Sequence, residues 1–190
     1  VNGRVPVGVD PAGHGEGLGL VVLTRSPEQT AAVGAALAAV LRAGDVVLVD
    51  GDLGAGKTVL TQGLARAAGV VEPVTSPTFT LIRSYPTSAG PTLLHADVYR
   101  LETRREIEDL GLSDLLDEGA FAVVEWGQRA ATVLGPDCLV VAIERDDAVG
   151  DRARTVRVHP VGPGWAGRWP EVEAVLGLAG SGLDVAGSDR

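Results

Sequence analysis

Residues 51–58 read Gly-Asp-Leu-Gly-Ala-Gly-Lys-Thr, a match to the pattern G-x-x-x-x-G-K-[ST], and no other stretch restricts the fold of this chain so strongly. The pattern works only where a buried strand delivers the chain to a tight glycine turn and a helix carries it away. Both flanks are present. Val46–Val49 is a continuous β-branched and leucine run, as expected of a strand covered on both faces in a parallel sheet. Thr58–Ala68 then reads as a helix stopped by Gly69. Gly51, Gly54 and Gly56 let the backbone curl with its N–H groups inward, and those donors plus the positive helix terminus hold a polyphosphate. Asp52, Leu53 and Ala55 complete the cradle. Lys57 is placed to reach the β- and γ-phosphates and the Thr58 hydroxyl to ligate Mg2+. An accidental glycine-rich turn is the competing reading, and the strand and helix on either side count against it.

Composition supports the loop. Fifteen of the sixteen basic residues are arginine, and the one lysine is Lys57. A chain that uses arginine elsewhere keeps a slim ammonium where a planar guanidinium would overfill a tight loop. The same count removes the GTPases, whose guanine-reading N-K-x-D segment needs a second lysine.

The remaining elements alternate, which sets the class as α/β: a P-loop NTPase-like, mainly parallel sheet flanked by helices, with some antiparallel strands. Leu20–Leu23 reads as a strand. Ser26, Pro27 and Gln29 form the pattern of a capped helix start, and Val33, Leu37, Val40 and Leu41 give it one apolar stripe as far as Gly44. Phe79–Tyr85 and Leu93–Val98 are strand-like and suited to a hairpin, and Glu102–Leu110 is helical. Ala120–Val124, Leu139–Ile143 and Thr155–Val158 are further strands. At 190 residues one domain is expected. Its core is placed in residues 20–160, ending near His159, after a flexible Gly/Pro-rich arm over 1–19. Residues 161–190 are a Gly/Pro-rich extension, in which GPGWAGRW breaks regular structure before a short helix over Pro170–Leu178. From Gly177 onward the chain reads as a second mobile arm.

A net charge of −9 argues against tight binding to nucleic acid by this chain alone. One cysteine, Cys138, excludes an internal disulfide, the N-terminal residues lack a signal-peptide pattern, and no run of about 18 apolar residues is present. A cytoplasmic protein with no membrane span is expected. Phosphoryl transfer needs a carboxylate at the C-terminal end of a strand beside the loop, and Glu125 and Asp97 qualify. Asp50 comes too early and reads as structural. Three functions stay open on these residues: an ATPase, a small-molecule kinase with Arg100, Arg104 and Arg105 on a closing lid, and a phosphate-binding module without catalysis. For those arginines a solvated helix face is the simpler reading.

Four ordered segments together resemble one family: the loop at 51–58, Ser76-Pro77-Thr78-Phe79-Thr80-Leu81, His95-Ala96-Asp97-Val98-Tyr99-Arg100-Leu101, and Val124-Glu125-Trp126. The chain is similar, from about Leu23 to Val158, to the TsaE family, formerly YjeE. The resemblance implies an ATPase that uses ATP and Mg2+ in the synthesis of N6-threonylcarbamoyladenosine in bacterial tRNAs that read ANN codons. It implies TsaD and TsaB as partners, with tRNA reached only through them. Carried over by position, Thr58 and Glu125 match the family's magnesium site, Trp126 its nucleotide-adjacent aromatic, and Asp97 the acid of its His-x-Asp-x-Tyr-Arg segment, with Lys57, Glu125 and Asp97 as the expected catalytic residues. Ser76–Thr78 match a switch-like loop. Ser26 and Thr30 match a helix start near the base, and Arg152–Arg154 a late basic segment from which Arg154 reaches the nucleotide. For Trp126, core packing is the competing role. Two positions depart from the pattern: Val59 removes a hydroxyl after Lys-Thr, and Gly127 stands where proline is usual, which is expected to loosen the segment after Glu125. Arg100 and Arg129 are the nearest in-chain candidates for a catalytic arginine.

Overall fold

The computed structural model describes residues 18–88, 90–179 and 184–187, the last stretch and Ala179 by backbone only. The expected N-terminal arm lies outside these residues except for Leu18 and Gly19. Eight strands form one sheet: β1 Leu20–Thr24, β2 Val46–Asp50, β3 Ile82–Tyr85, β4 Leu93–Asp97, β5 Phe121–Glu125, β6 Cys138–Arg145, β7 Arg154–Val161 and β8 Asp184–Gly187. Their spatial order is β3-β4-β5-β2-β6-β7-β1-β8. The inner strands β4, β5, β2 and β6 are parallel, and the pairings toward both edges are antiparallel. All four parallel strands therefore end at one edge, with Asp97, Glu125, Asp50 and Arg145.

The helices are α1 Pro27–Ala38, α2 Lys57–Ala67, α3 Arg104–Glu108, α4 Leu112–Asp117, α5 Ala131–Leu134 and α6 Pro163–Ala179. Alternate residues of β2 enter different cores. Val47 and Val49 pack with Leu37 of α1, Leu60 and Leu64 of α2 and Trp169 of α6. Val46 and Leu48 pack with Ile107, Leu112 and Val124 on the opposite face. This covering of both faces explains why the central strands read as unbroken apolar runs. Helices α1 and α2 cross backbone to backbone: a Cβ on Gly34 would lie 2.0 Å from the Leu60 carbonyl oxygen, and one on Gly63 would lie 1.9 Å from that of Ala31. Glycine at both positions lets α1 press directly on the helix that leaves the loop.

Several expected boundaries move. Helix α1 starts as predicted, with the Ser26 hydroxyl accepting the Gln29 N–H, but the Gln29 side chain reaches back to the Arg25 N–H. It stops at Ala38, after which Ala39 and Val40 donate to carbonyls three residues back. Gly44 lies six residues further on, where its N–H meets the Ala120 carbonyl at 2.7 Å. The hairpin of β3 and β4 forms, but residues 77–81 are a turn closed by Leu81 N–H to Pro77 O at 2.6 Å, with Leu81 at φ 64° and Phe79 exposed.

The larger correction is at the C-terminal end. GPGWAGRW does not break structure, and the apolar core does not end near His159. Both Asp137 carboxylate oxygens cap the start of α6, accepting the N–H groups of Gly164 (2.9 Å) and Trp165 (3.0 Å). Trp165, Trp169, Val172 and Leu176 make one buried stripe, and each indole hides on the order of 150–250 Å2. That burial outweighs the hydrogen bond lost at Pro170 inside the helix. Arg168 bonds Asp45 at 2.7 Å and the Val40 carbonyl, clamping α6 to the turn before β2. Beyond it, β8 pairs antiparallel with β1 where a mobile arm was expected.

Candidate functional site

The loop between β2 and α2 places the site at the carboxyl ends of the parallel strands, where open α/β sheets bind ligands. Gly51 has φ 144°, and a Cβ there would meet the Ile143 carbonyl oxygen at 2.3 Å, so the loop turns against the end of β6. Arg154 Nε donates to the Ala55 carbonyl at 2.8 Å and fixes the far side of the loop. Lys57 Nζ donates to the carbonyls of Gly51 (2.6 Å) and Asp52 (3.0 Å) and lies 3.9 Å from the centre of the Trp126 ring. Burial lowers the Lys57 pKa, opposed by the charges of Glu125, Asp97, Asp50 and Asp52 in that order. Asp52 and Leu53 are exposed at the tip.

The two candidate acids are register partners on adjacent strands, Asp97 opposite Glu125, and each is 3% exposed. Their surroundings differ. Glu125 Oε1 accepts the Thr58 hydroxyl at 2.8 Å and faces His95 Nε2 at 3.0 Å. Asp97 Oδ2 accepts the Thr78 hydroxyl (2.8 Å) and, more weakly, that of Ser76 (3.4 Å), while Oδ1 accepts the Tyr99 N–H at 2.9 Å. Thr58 spends its hydrogen on Glu125, so the lone pairs of its hydroxyl remain for a cation. Hydroxyl and carboxylate oxygens are hard donors that suit Mg2+, and among the described residues no group of three or more His, Cys, Asp or Glu is placed to hold a metal. That donor set fits an ion shared with phosphate oxygens better than one held in an all-protein cage.

Trp126 is half-buried at φ 61°, a left-handed conformation costing of order 1–3 kcal/mol for such a residue. Its backbone N–H donates to Val49 O (2.8 Å) and its ring lies 4.7 Å from that of Tyr99. The indole thus faces Lys57 while also closing the second core. Gly127 does not loosen this segment. It is buried, and a Cβ there would lie 2.5 Å from the Leu48 Cβ, so the turn over Gly127–Arg129 sits directly on β2. Asp50 Oδ1 accepts the Gln128 N–H at 3.4 Å, and burial raises the pKa of this carboxyl.

Other predicted residues are brought less close. Thr30 is buried with its methyl turned to the loop, 3.7 Å from a Cβ on Gly56, and its hydroxyl is engaged with Thr24 (2.9 Å) and Ser26 O (3.3 Å). The Ser26 hydroxyl caps α1. Arg100 stacks on Phe79 at 4.5 Å, Arg129 donates to the carbonyls of Tyr99 and Leu101, and Arg104 pairs with Glu108 on an exposed face. None of the three has a hydrogen bond to the phosphate loop. Two residues at the site carry no sequence-based assignment. His95 was legible from its strand, because residues two apart share a face and Asp97 was already a candidate. Arg145, whose Nη2 lies 3.1 Å from a Cβ on Gly54, is the register partner of Arg154 across β6 and β7. An open cleft of about 640 Å3 beside the loop is lined by Asp50, Gly51, Asp52, Trp126, Arg129 and Arg145 among others.

Comparisons with known proteins converge on one family. The family profile described as "Threonylcarbamoyl adenosine biosynthesis protein TsaE" matches residues 24–156. The tRNA threonylcarbamoyladenosine biosynthesis protein TsaE of Streptomyces coelicolor is 45% identical over 78% of this chain and 98% of that protein. The protein of the same name from Bacillus subtilis is 40% identical over 73% of this chain and 84% of its own length. The crystal structure of Bacillus subtilis YdiB superposes with a TM-score of 0.66 at 29% identity, covering 88% of this chain and 98% of that one. With the loop, the two strand-end acids and the tryptophan in place, the chain belongs to the TsaE family, with its role in threonylcarbamoyl adenosine biosynthesis.

Proposed function

We propose that this chain is a Mg2+-dependent ATPase that hydrolyses ATP to ADP and phosphate and drives a TsaD–TsaB complex through its cycle on tRNA. One observation carries the reading: the Thr58 hydroxyl, in the first turn of the helix leaving the loop, is bonded at 2.8 Å to the strand-end carboxylate of Glu125. A passive phosphate-binding loop has no use for that pair. Residues 51–58 hold the polyphosphate through inward N–H groups, and Lys57 places a positive charge on the β- and γ-phosphates. Thr58 and Glu125 would hold Mg2+, which supplies charge neutralisation on the transferred group. Trp126 keeps Lys57 aligned by a cation–π contact and closes the nucleotide side. Asp97 completes the catalytic set and ties it to the loop over 76–78. Arg154 acts through the loop backbone, Thr30 turns its methyl toward Gly56, and Ser26 caps the helix start beside it.

The relatives' names place their action on tRNA. With a net charge of −9, this chain reaches tRNA through its partners. Among the described residues no helix is long and apolar enough to cross a membrane, which suits work on tRNA in the cytoplasm. The deciding experiment measures phosphate release from ATP and Mg2+ with and without TsaB and TsaD, alongside a screen for a phosphorylated small molecule. Phosphate release that rises with the partners supports the proposal. A phosphorylated acceptor without free phosphate would make the chain a kinase.

A further inference from the structure

His95 is a buried ionisable side chain at the site to which the family resemblance and the loop chemistry assign no part. It is 0% exposed in the middle of β4, opposite Val123 of β5. Strand period two puts it on the same sheet face as Asp97, and Glu125 shares that face from the neighbouring strand. Its Nε2 lies 3.0 Å from Glu125 Oε1, the oxygen that also takes the Thr58 hydroxyl. A carboxylate oxygen has no hydrogen to give, so the proton of this contact belongs to Nε2. The other ring nitrogen, Nδ1, is buried without a partner. A polar ring that makes one hydrogen bond and leaves its second nitrogen dry is a poor choice for simple packing, since burial of an unsatisfied polar atom costs free energy. The bond that it does make bears the purpose.

We propose that His95 is the positioning residue of this site: its Nε2–H holds the Glu125 carboxylate in the one orientation in which Oε1 receives Thr58, leaving Oε2 committed to neither. This rests on the reading of Thr58 and Glu125 as the magnesium site. Groups that orient a metal-binding carboxylate typically matter about 10–100-fold in metal affinity or activity. The effect of losing His95 should therefore fall on the Mg2+ dependence and on turnover, and leave Mg2+-free nucleotide binding intact.

The test compares His95→Gln, whose amide N–H can reach the Nε2 position, with His95→Leu, which fills the space without a donor. Nucleotide binding is followed by tryptophan fluorescence in EDTA and in a Mg2+ titration, and phosphate release is measured in parallel. We expect His95→Leu to bind ATP in EDTA within about twofold of the natural chain. It should need about tenfold more Mg2+ for half-maximal effect and lose about tenfold or more in kcat. His95→Gln should recover most of both. In a Glu125→Gln background, His95→Leu should add little, because the partner through which it acts is already altered. Equal behaviour of the Gln and Leu variants, or full additivity with Glu125→Gln, would overturn the proposal and leave His95 a packing residue. If His95→Leu does not fold, His95→Ala stands in as the variant without a donor: a Mg2+ midpoint about tenfold above that of His95→Gln supports the donor role, and equal midpoints refute it. A natural chain that releases no phosphate would sink the ATPase reading separately, while the Mg2+ titration of binding would still judge His95.

Discussion

Glu125 and Asp97 stand side by side at the ends of two parallel strands, equally buried, yet they are held by different parts of the molecule. Glu125 is bonded to Thr58 on α2 and to His95 on β4, both regular elements locked into the core. Asp97 is bonded to Thr78 and Ser76, which lie on the loop before β3. That loop ends in Leu81 at positive φ and carries Phe79 on its exposed side. Rigid support suits a group that must hold an ion in one geometry, because small displacements there are costly. Support from a loop suits a group whose position reports whether the loop is settled. Under the proposed ATPase reading, the two strand-end positions take different duties from what is attached to them.

Both acids act electrostatically on Lys57, so its removal should erase the contrast altogether. Lys57→Ala is expected to lower phosphate release by about 10³-fold, the scale on which losing a positioned transition-state charge is felt. Lys57→Arg should not restore it, because the planar head cannot thread the carbonyls of Gly51 and Asp52. Steady-state phosphate release checks both, and turnover near the natural rate in Lys57→Ala would end the ATPase reading. Glu125→Gln should come next, with nucleotide still bound and Mg2+-dependent turnover down by about 10²-fold or more. The amide keeps the shape and loses the charge. A fluorescence titration with and without Mg2+ separates these two effects.

The parallel half of the sheet could be read from residue types because its physics is local. Val46–Val49 is apolar on both faces, and the glycine loop announces both the strand before it and the helix after it. The carboxylates at the ends of β4 and β5 were legible for the same reason. Of helix α6 only the C-terminal half, Pro170–Leu178, was legible; its start was not, because its cap comes from Asp137 and its clamp joins Arg168 to Asp45, contacts that no window of sequence contains. Counting Gly and Pro in GPGWAGRW masked the spacing of Trp165, Trp169, Val172 and Leu176, which is helical. The turn at 77–81 hid behind β-prone Phe79, since only the left-handed backbone of Leu81 reveals it. Arg145 needed the β6–β7 register to bring it opposite Arg154 at the loop.

Asp97→Asn tests the loop-held acid. It keeps the acceptor for the Tyr99 N–H but puts an NH2 donor where Oδ2 stood, so the Thr78 and Ser76 hydroxyls can no longer donate there. Phosphate release should fall by about tenfold, an order less than for Glu125→Gln. Hydrogen exchange should quicken in the amides of residues 78–82 and stay unchanged in β5. An Asp97→Asn variant more damaged than Glu125→Gln would mean that the duties of the two acids are exchanged.

The smallest effect should come from Thr78→Val, which cuts one hydrogen bond and leaves the carboxylate in place. Ser76 lies 2.7 Å from Thr78 and already leans toward the same Asp97 oxygen, so it can take over part of the contact. The net cost to the settled loop is then about 1 kcal/mol, a shift of about fivefold in its population. Basal phosphate release should change by less than about threefold, because in the chain alone the loop has no partner surface to complete. Arg100 is occupied on Phe79 and Arg129 on backbone carbonyls, so neither supplies a ready catalytic cation from within the chain. Stimulation by a TsaD–TsaB complex should therefore be large, about 10³-fold where a partner supplies charge. Thr78→Val should raise the partner concentration needed for half of it while leaving the plateau unchanged. Titrating the complex against both chains reads this directly. A lowered plateau at unchanged half-saturation would move Thr78 into the chemistry itself and dissolve the distinction between the rigidly held acid and the loop-held one.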